Sequence, residues 1–388
     1  MFKVALGHSE DPDNQSAINV ILKKCKASLG DAKPNIGILF AAADYDFQIL
    51  LDEIKKTYPD IVLTGCSSFG EISSELGVSE HSVVVMLLSI DNVDSYSALV
   101  ENISKNTYEK LKISLQETLK DAPKQPVLSF LFTDALTSNS SESIRALKDY
   151  FANKHFAIAG GAAADNLKFT QTFQLNINHA ASNAASYLLL TEPLKFSIGA
   201  DHAINPITEK HRVTKSNINV VYTIDNKSVV ELYKHYVGEP DPNLAYAQYP
   251  LAVYLDDASN HFTIRSPMLI NDKDGSITFA ADVPERATVQ IGKTSLKAAT
   301  LEAATRSIKK AVESFPGKNI RCAIVISCVG RKEVLGIDSY KEIDLIKQEL
   351  PENIPIIGYY SYGEIGQFTS DDPSNYYNHT VIVVLMGE

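Results

Sequence analysis

The chain has 388 residues, 45% of them hydrophobic and 21% charged, with a net charge of −11. This composition excludes a disordered polymer, provides for two or three cores, and argues against nucleic-acid binding, which needs a clustered basic face. No apolar run approaches a membrane span and the opening MFKVALGHSEDP lacks a signal peptide's apolar centre, so a cytoplasmic location without membrane contact is expected. Cys25, Cys66, Cys322 and Cys328 show no CxxC spacing; neither a disulfide framework nor structural zinc is expected from them.

In chain order, a strand (Phe2 to Leu6) leads to a helix from about Asn14 whose apolar face carries Ile18, Ile21, Leu22, Cys25 and Leu29. Next come a strand (Ile36 to Ala41), a helix through Phe47, Leu50, Leu51 and Ile54, the stretch IVLTGCSSFGEIS from Ile61 to Ser73, and a strand from His81 to Ser89. Lys105 to Leu119 reads as an amphipathic helix. The pattern then returns more loosely: Val127 to Thr133, a helix through Ile144, Leu147 and Phe151, and Phe156 to Gly161 running into GGAAAD, with Asp165 placed roughly like Glu71. FTQTFQLNIN and ASYLLLTE read as strands, and Pro193 punctuates the chain before a polar segment.

Beyond it lie a strand at Val220 to Ile224, a short helix ending at Gly238, and an antiparallel meander at Leu251 to Leu255, Phe262 to Pro267 and Ser276 to Ala280. A long helix through Leu301, Ile308, Val312 and Phe315 precedes a third copy: Cys322 to Ser327, a helix through Ile343, Ile346 and Leu350, IPIIGYYSYGEIGQ from Ile354 to Gln367, and His379 to Met386. Three such units predict an α/β protein with mixed β-sheets flanked by helices, built from repeated β-α-β-Gly-turn-β units in two lobes. Residues 1–215 are expected to hold two units, and residues 216–388 the meander and the third.

The turns nominate the binding residues. Their divergent positions, Cys66, Ser67, Ser68 and Phe69 against Tyr359, Tyr360, Ser361 and Tyr362, offer aromatic and hydroxyl groups to a pocket. Glu71, Asp165 and Glu364 either converge to hold an amine or cation, or each caps its own turn. Arg265 either clamps a ligand carboxylate or forms an internal ion pair, and Arg331 reaches the same cleft if the fold permits. His235 lies on a solvated helix face, and His211 has no partner at ligand spacing. GCSSFG is one residue too long for a GxSxG elbow, no histidine is assignable as base to Cys66, and Walker A, GxGxxG and HExxH patterns are absent. An enzyme is therefore not expected, and an unrecognised hydrolase or transferase stands as the rival reading.

The succession GCSSFGEI, GGAAADNLKF, RVT followed by IDNKSVVELY, DGSITF, GYYSYGEIGQF and NHTVIVVL resembles the two-part FIST sensory module over nearly the whole chain. The resemblance implies a sensory protein that binds a small molecule such as an amino acid or related metabolite. With no effector segment after Met386, it implies signalling through a separate partner such as a histidine kinase or a cyclic-di-nucleotide enzyme. A branch of that family binds haem and senses nitric oxide. There the resemblance points to His202, in ADHAINP, as the iron ligand, although Ala203 replaces the branch's aromatic neighbour.

Overall fold

The first unit runs β1 (Phe2–Ser9), α1 (Asn14–Leu29), β2 (Ile36–Ala42), α2 (Phe47–Thr57), β3 (Val62–Ser68), the hairpin β4 (Glu71–Ser73) and β5 (Gly77–Ser79), and β6 (Val83–Ile90). The second repeats it as β7 (Ser95–Glu101), α3 (Thr107–Leu119), β8 (Pro126–Thr133), α4 (Ser140–Phe151), β9 (Ala157–Ala162), the hairpin β10 (Gln174–Asn176) and β11 (Ala180–Ala181), and β12 (Ala184–Thr191). The third opens with β13 (Lys195–His202) and is interrupted by an insertion. This carries β14 (Ile204–Pro206), β15 (His211–Asn217), β16 (Val220–Ile224), β17 (Lys227–Ser228), α5 (Val229–Val237), β18 (Leu251–Tyr254), β19 (Phe262–Arg265), β20 (Pro267–Asn271), β21 (Ser276–Phe279) and β22 (Thr288–Thr294). The unit resumes with α6 (Lys297–Glu313), β23 (Ile320–Cys328), α7 (Val329–Leu335), α8 (Tyr340–Gln348), β24 (Ile356–Ser361), the hairpin β25 (Glu364–Gly366) and β26 (Asn375–Tyr377), and β27 (Thr380–Gly387). The computed structural model describes residues 1–152, 156–238, 248–254, 262–294, 296–369 and 372–388.

Local chemistry sets the helix ends. Asp13 caps α1 by accepting the Ser16 amide, Asp46 caps α2, and Ser228 caps α5, which stops where the Gly238 amide donates to the Lys234 carbonyl. Within each unit two strands pair in parallel across a helix, β2 with β3, β8 with β9 and β23 with β24, and the closing strand returns antiparallel. Alternation along these strands divides the side chains between two environments. Ile36, Ile38 and Phe40 of β2, Leu128, Phe130 and Phe132 of β8, and Cys322, Ile324 and Ile326 of β23 meet in one central core. The intervening Leu39, Leu131 and Val325 face each unit's own helices. At the centre Phe40 stacks on Tyr359 at 4.4 Å between ring centroids, and Phe132 stands edge-on to Phe40 at 5.4 Å.

The hairpin after each Gly-turn leaves its own sheet. β4 and β5 extend the third unit's sheet beside β24, β25 and β26 extend the second unit's beside β9, and β10 and β11 extend the first unit's beside β3. This three-way exchange is a closed cycle. One glycine per unit makes room for the strand crossing: a Cβ at Gly65, Gly160 or Gly358 would lie 1.8, 2.1 or 2.1 Å from the carbonyl oxygen of Leu39, Leu131 or Val325.

The expected mixed sheets, repeated units and two lobes are present. The third unit, however, closes the ring with the first two, while the insertion forms the other lobe; a division between residues 215 and 216 falls inside β15. The expected meander is also split. β19 and β20, separated by Ser266 alone, occupy opposite ends of the nine-stranded sheet, so the sheet must curl until its edges nearly meet. Val213, Val221, Val253, Phe279 and Ile291 fill its interior together with Tyr233 of α5.

Candidate ligand site at the unit seams

Register fixes which residues correspond. Glu71 lies opposite Tyr359, Glu364 opposite Gly161, and Gln174 opposite Cys66. Gln174, not Asp165, therefore takes the glutamate's place in the second unit, because the loop before β10 is longer there than the turns before β4 and β25. The three positions belong to three different strand pairings.

Both glutamates are fully buried and bound by matching donors. Glu71 accepts from the Ser68 hydroxyl, the Ser82 amide (3.1 Å) and the Ser82 hydroxyl (2.5 Å). Glu364 accepts from the Ser361 hydroxyl (2.7 Å), the Thr380 amide (3.0 Å) and the Thr380 hydroxyl (2.6 Å). Burial outweighs these bonds and pushes each carboxyl up to about 7. His8, which the sequence reading passed over, extends the first network: its Nε2 lies 2.8 Å from the Ser82 hydroxyl and its Nδ1 2.7 Å from the Ser73 hydroxyl. Burial and, secondarily, Lys24 bring its pKa down to about 4.

Asp165 organises the longer loop. Its carboxylate accepts the amides of Phe169 (2.9 Å), Thr170 (2.7 Å) and Gln171 (2.9 Å) and the Tyr362 hydroxyl (2.5 Å). Burial acts to raise its pKa, but these donors prevail and hold it below the usual range. Tyr362 also stacks on Phe169 at 4.7 Å, so the seam between the second and third units is anionic and aromatic.

The seam between the first and third units carries two ion pairs, Lys332 with Glu80 and Arg331 with Glu342. Lys332 of α7 is buried with its Nζ 4.0 Å from the Phe69 ring centroid and 5.7 Å from that of Tyr360. Its counter-ion is Glu80, whose side chain is 53% exposed against 7% for Lys332. Gly70 passes so close that a Cβ there would stand 3.3 Å from the lysine nitrogen. Beneath, Glu342 accepts from Arg331 Nε (2.9 Å), Arg331 Nη2 (2.5 Å), the Ser327 hydroxyl (2.9 Å) and the Tyr360 hydroxyl (3.0 Å). Arg331 Nη2 also donates to the Thr300 carbonyl at 2.7 Å, while Nη1 is buried with no hydrogen-bond partner among the described residues. Cationic groups beside two aromatic faces, with a solvent-facing counter-ion, can hold an anionic group attached to a flat or apolar body.

Phe69 and Tyr360 thus come together, whereas Cys66 and Tyr359 lie in the central core, where burial raises thiol and phenol well above their ordinary pKa values. The Ser67 hydroxyl oxygen accepts the Phe173 amide N–H at 2.9 Å. Arg265 is neither a clamp nor part of a side-chain ion pair among the described residues. It donates to the carbonyls of Asp282 (2.9 Å), Ile264 (3.1 Å) and Tyr376 (2.8 Å), fastening the inserted lobe to the third unit's hairpin. Lys332 and Glu342 escaped the sequence reading because both fall on ordinary helical faces; proximity to Arg331 was their one linear signal.

His202 ends β13 between Phe262 (5.1 Å) and Phe368 (5.6 Å). Its Nδ1 accepts the Ile204 amide at 3.2 Å, which in a neutral ring leaves the proton on Nε2. A histidine that ligates iron through Nε2 needs the opposite tautomer, with Nδ1–H donating. This arrangement does not fit haem ligation.

The geometry defines an internally triplicated α/β protein with exchanged hairpins and charged seams. The FIST N domain matches residues 35–227 and the FIST C domain residues 230–367, so the chain belongs to the FIST family, whose domains are sensory and ligand-binding. An uncharacterized protein of Methanocaldococcus jannaschii is 24% identical over 359 residues, covering 81% of this chain and 66% of that protein, just under two thirds of its length. Among solved structures, a chorismatase aligns over 100% of this chain and 98% of its own at 7% identity and a TM-score of 0.38. A cyanuric acid hydrolase from A. caulinodans aligns over 99% of both chains at 8% identity and a TM-score of 0.37. Among the described residues, no helix is long and apolar enough to cross a membrane.

Proposed function

We propose that this protein senses a small anionic metabolite at the seam between its first and third units and signals through a separate partner, such as a histidine kinase or a cyclic-di-nucleotide enzyme. The carrying observation is Lys332, a buried cation over the Phe69 ring whose ion-pair partner, Glu80, is half in solvent. A ligand carboxylate would compete with Glu80, loosen the β5 end of the exchanged hairpin and so alter the surface offered to the partner. The reading gives no residue a catalytic step. The high pKa of Cys66 speaks against a thiolate nucleophile, which is the chemistry the rival hydrolase or transferase reading would ask of it.

A thermal-shift screen of carboxylate metabolites tests this, because a ligand that binds only the folded state raises stability, by about 2.7 kcal/mol at a hundred times its Kd. The expected result is a stabilising ligand that is recovered unchanged and loses its effect in Lys332→Met and Phe69→Ala. Turnover of that ligand, or undiminished stabilisation of Lys332→Met, overturns the proposal. So does a Soret band that survives desalting after haem reconstitution and is lost in His202→Ala.

A further inference from the structure

The exchanged hairpin of the first unit is closed at its neck by one side chain. The chain leaves β3 at Ser68 and enters β6 after Ser82, and the buried Glu71 carboxyl spans the two. Oε1 accepts from the Ser68 hydroxyl, and Oε2 from the Ser82 amide (3.1 Å) and hydroxyl (2.5 Å). Both groups that meet Lys332 stand just inside this neck. Phe69 follows Ser68, its ring centroid 4.0 Å from Lys332 Nζ, and Glu80, the ion-pair partner of that lysine, lies two residues before Ser82. The Phe69 amide donates to the Tyr360 carbonyl at 3.1 Å and the Tyr360 amide to the Gly70 carbonyl at 3.0 Å, so the neck is sewn to the third unit at the same place. Parting Ser68 from Ser82 displaces the attachment points of both groups that cover the lysine.

A carboxyl in this position has two states with opposite preferences. Neutral, it gains little from water and suits the closed neck; ionised, it gains more from solvation than its three donors return, which is why burial outweighs them and raises it from an ordinary 4.5 to about 7. The closed neck is therefore fully favoured below 4.5, and that advantage is lost as pH rises through about 7. Other groups facing Glu71 have their transitions elsewhere. Burial, with Lys24 of α1 behind it, holds His8 of β1 at about 4, and Lys24 is itself paired with Glu75. Burial raises Tyr45, before α2, to about 12, and Cys66 of β3 and Tyr359 of β24 well above their ordinary values. Lys332 and Glu80 face it across Gly70 as an ion pair, and His81, between Glu80 and Ser82, pairs with Asp44 at 2.8 Å.

We infer that Glu71 is a proton-operated latch on the seam: with its proton it holds Phe69 and Glu80 over Lys332, and without it the neck loosens and uncovers the lysine. Regulation of ligand access by this motion rests on the reading of Lys332 as the ligand's cation; the latch itself does not. Glu364 closes the corresponding neck of the third unit between Ser361 and Thr380, but the neighbouring Tyr362 meets Asp165 rather than a cation, which makes it the matched control.

The chain has no tryptophan, so Phe69→Trp places a single indole beside Lys332. Its emission is followed in the full chain from pH 5.5 to 8.5 with no ligand added. One transition centred near 7 is expected, abolished by Glu71→Gln and kept in Glu364→Gln and His81→Gln. Amide hydrogen exchange of the chain without Phe69→Trp keeps the inference testable if the indole disturbs the seam. Protection of the Ser82 amide, corrected for the intrinsic pH dependence of exchange, is expected to fall about tenfold from pH 5.5 to 8, and by less than about twofold in Glu71→Gln. Emission and protection that stay flat overturn the inference, as does a transition that persists in Glu71→Gln or is lost equally in Glu364→Gln or His81→Gln. Because no ligand is present, these outcomes are separate from the thermal-shift screen: failure of the screen removes the ligand, and failure here removes the latch.

Discussion

At the scale of the residue, the same buried position is filled by Glu71, Glu364 and Gln174, and the third shows what the first two cost. A carboxyl pushed up to about 7 from an ordinary value near 4.5 is protonated in the folded protein where the unfolded chain has already lost its proton. Its contribution to stability is complete below the unfolded value and is lost as pH rises through about 7. Glu71→Gln and Glu364→Gln should therefore flatten the fall in stability between pH 5 and 8, each gaining on the order of 1–3 kcal/mol at pH 8. Urea unfolding across that range measures it, and a parallel fall in the variants refutes it. His8 acts oppositely: its depressed pKa gives stability that is present above its ordinary value of 6.5 and lost as pH falls through about 4. The doublet GEI announced the two glutamates in the sequence. Gln174 was hidden by a longer loop that brought Asp165 to the matching distance along the chain but not to the matching place in the sheet.

At the scale of the element, the strand crossings depend on glycine at Gly65, Gly160 and Gly358. Any side chain at these positions runs into the backbone of the parallel neighbour, which has no rotamer with which to yield. Gly65→Ala and Gly358→Ala are each expected to destabilise by about 3 kcal/mol or more, read as a lowered denaturation midpoint at unchanged slope. Stability within about 0.5 kcal/mol of the wild type would show that the crossing can relax. Elements of this kind were legible because they are local: the helices and parallel strand pairs follow from apolar periodicity, and the glycines from their repetition. The destination of the hairpins was not legible, because β4 reads the same whether it pairs with its own unit or with β24.

At the scale of the whole molecule, each unit completes a neighbour's sheet. A chain ending at residue 194 keeps the first two units intact in sequence but leaves β4 without β24 and β9 without β25. Such a fragment is expected to lack a cooperative unfolding transition, whereas the full chain's three units unfold together; calorimetry of both decides this, and a fragment that melts cooperatively near the full chain's Tm would refute it. The insertion enters the third unit between β13 and α6, which explains why the sequence, read linearly, grouped the meander with that unit.

The direction of the exchange, first unit to third, third to second, second back to first, carries a historical consequence. A separate chain of one such unit would have a hairpin to give and a sheet edge to fill, and a closed ring of such units, here three, satisfies both everywhere. The present polypeptide is thus the covalent equivalent of a homotrimer. Its corners are not alike: one is acidic and aromatic around Asp165 and Tyr362, and another carries the Lys332–Glu80 and Arg331–Glu342 ion pairs.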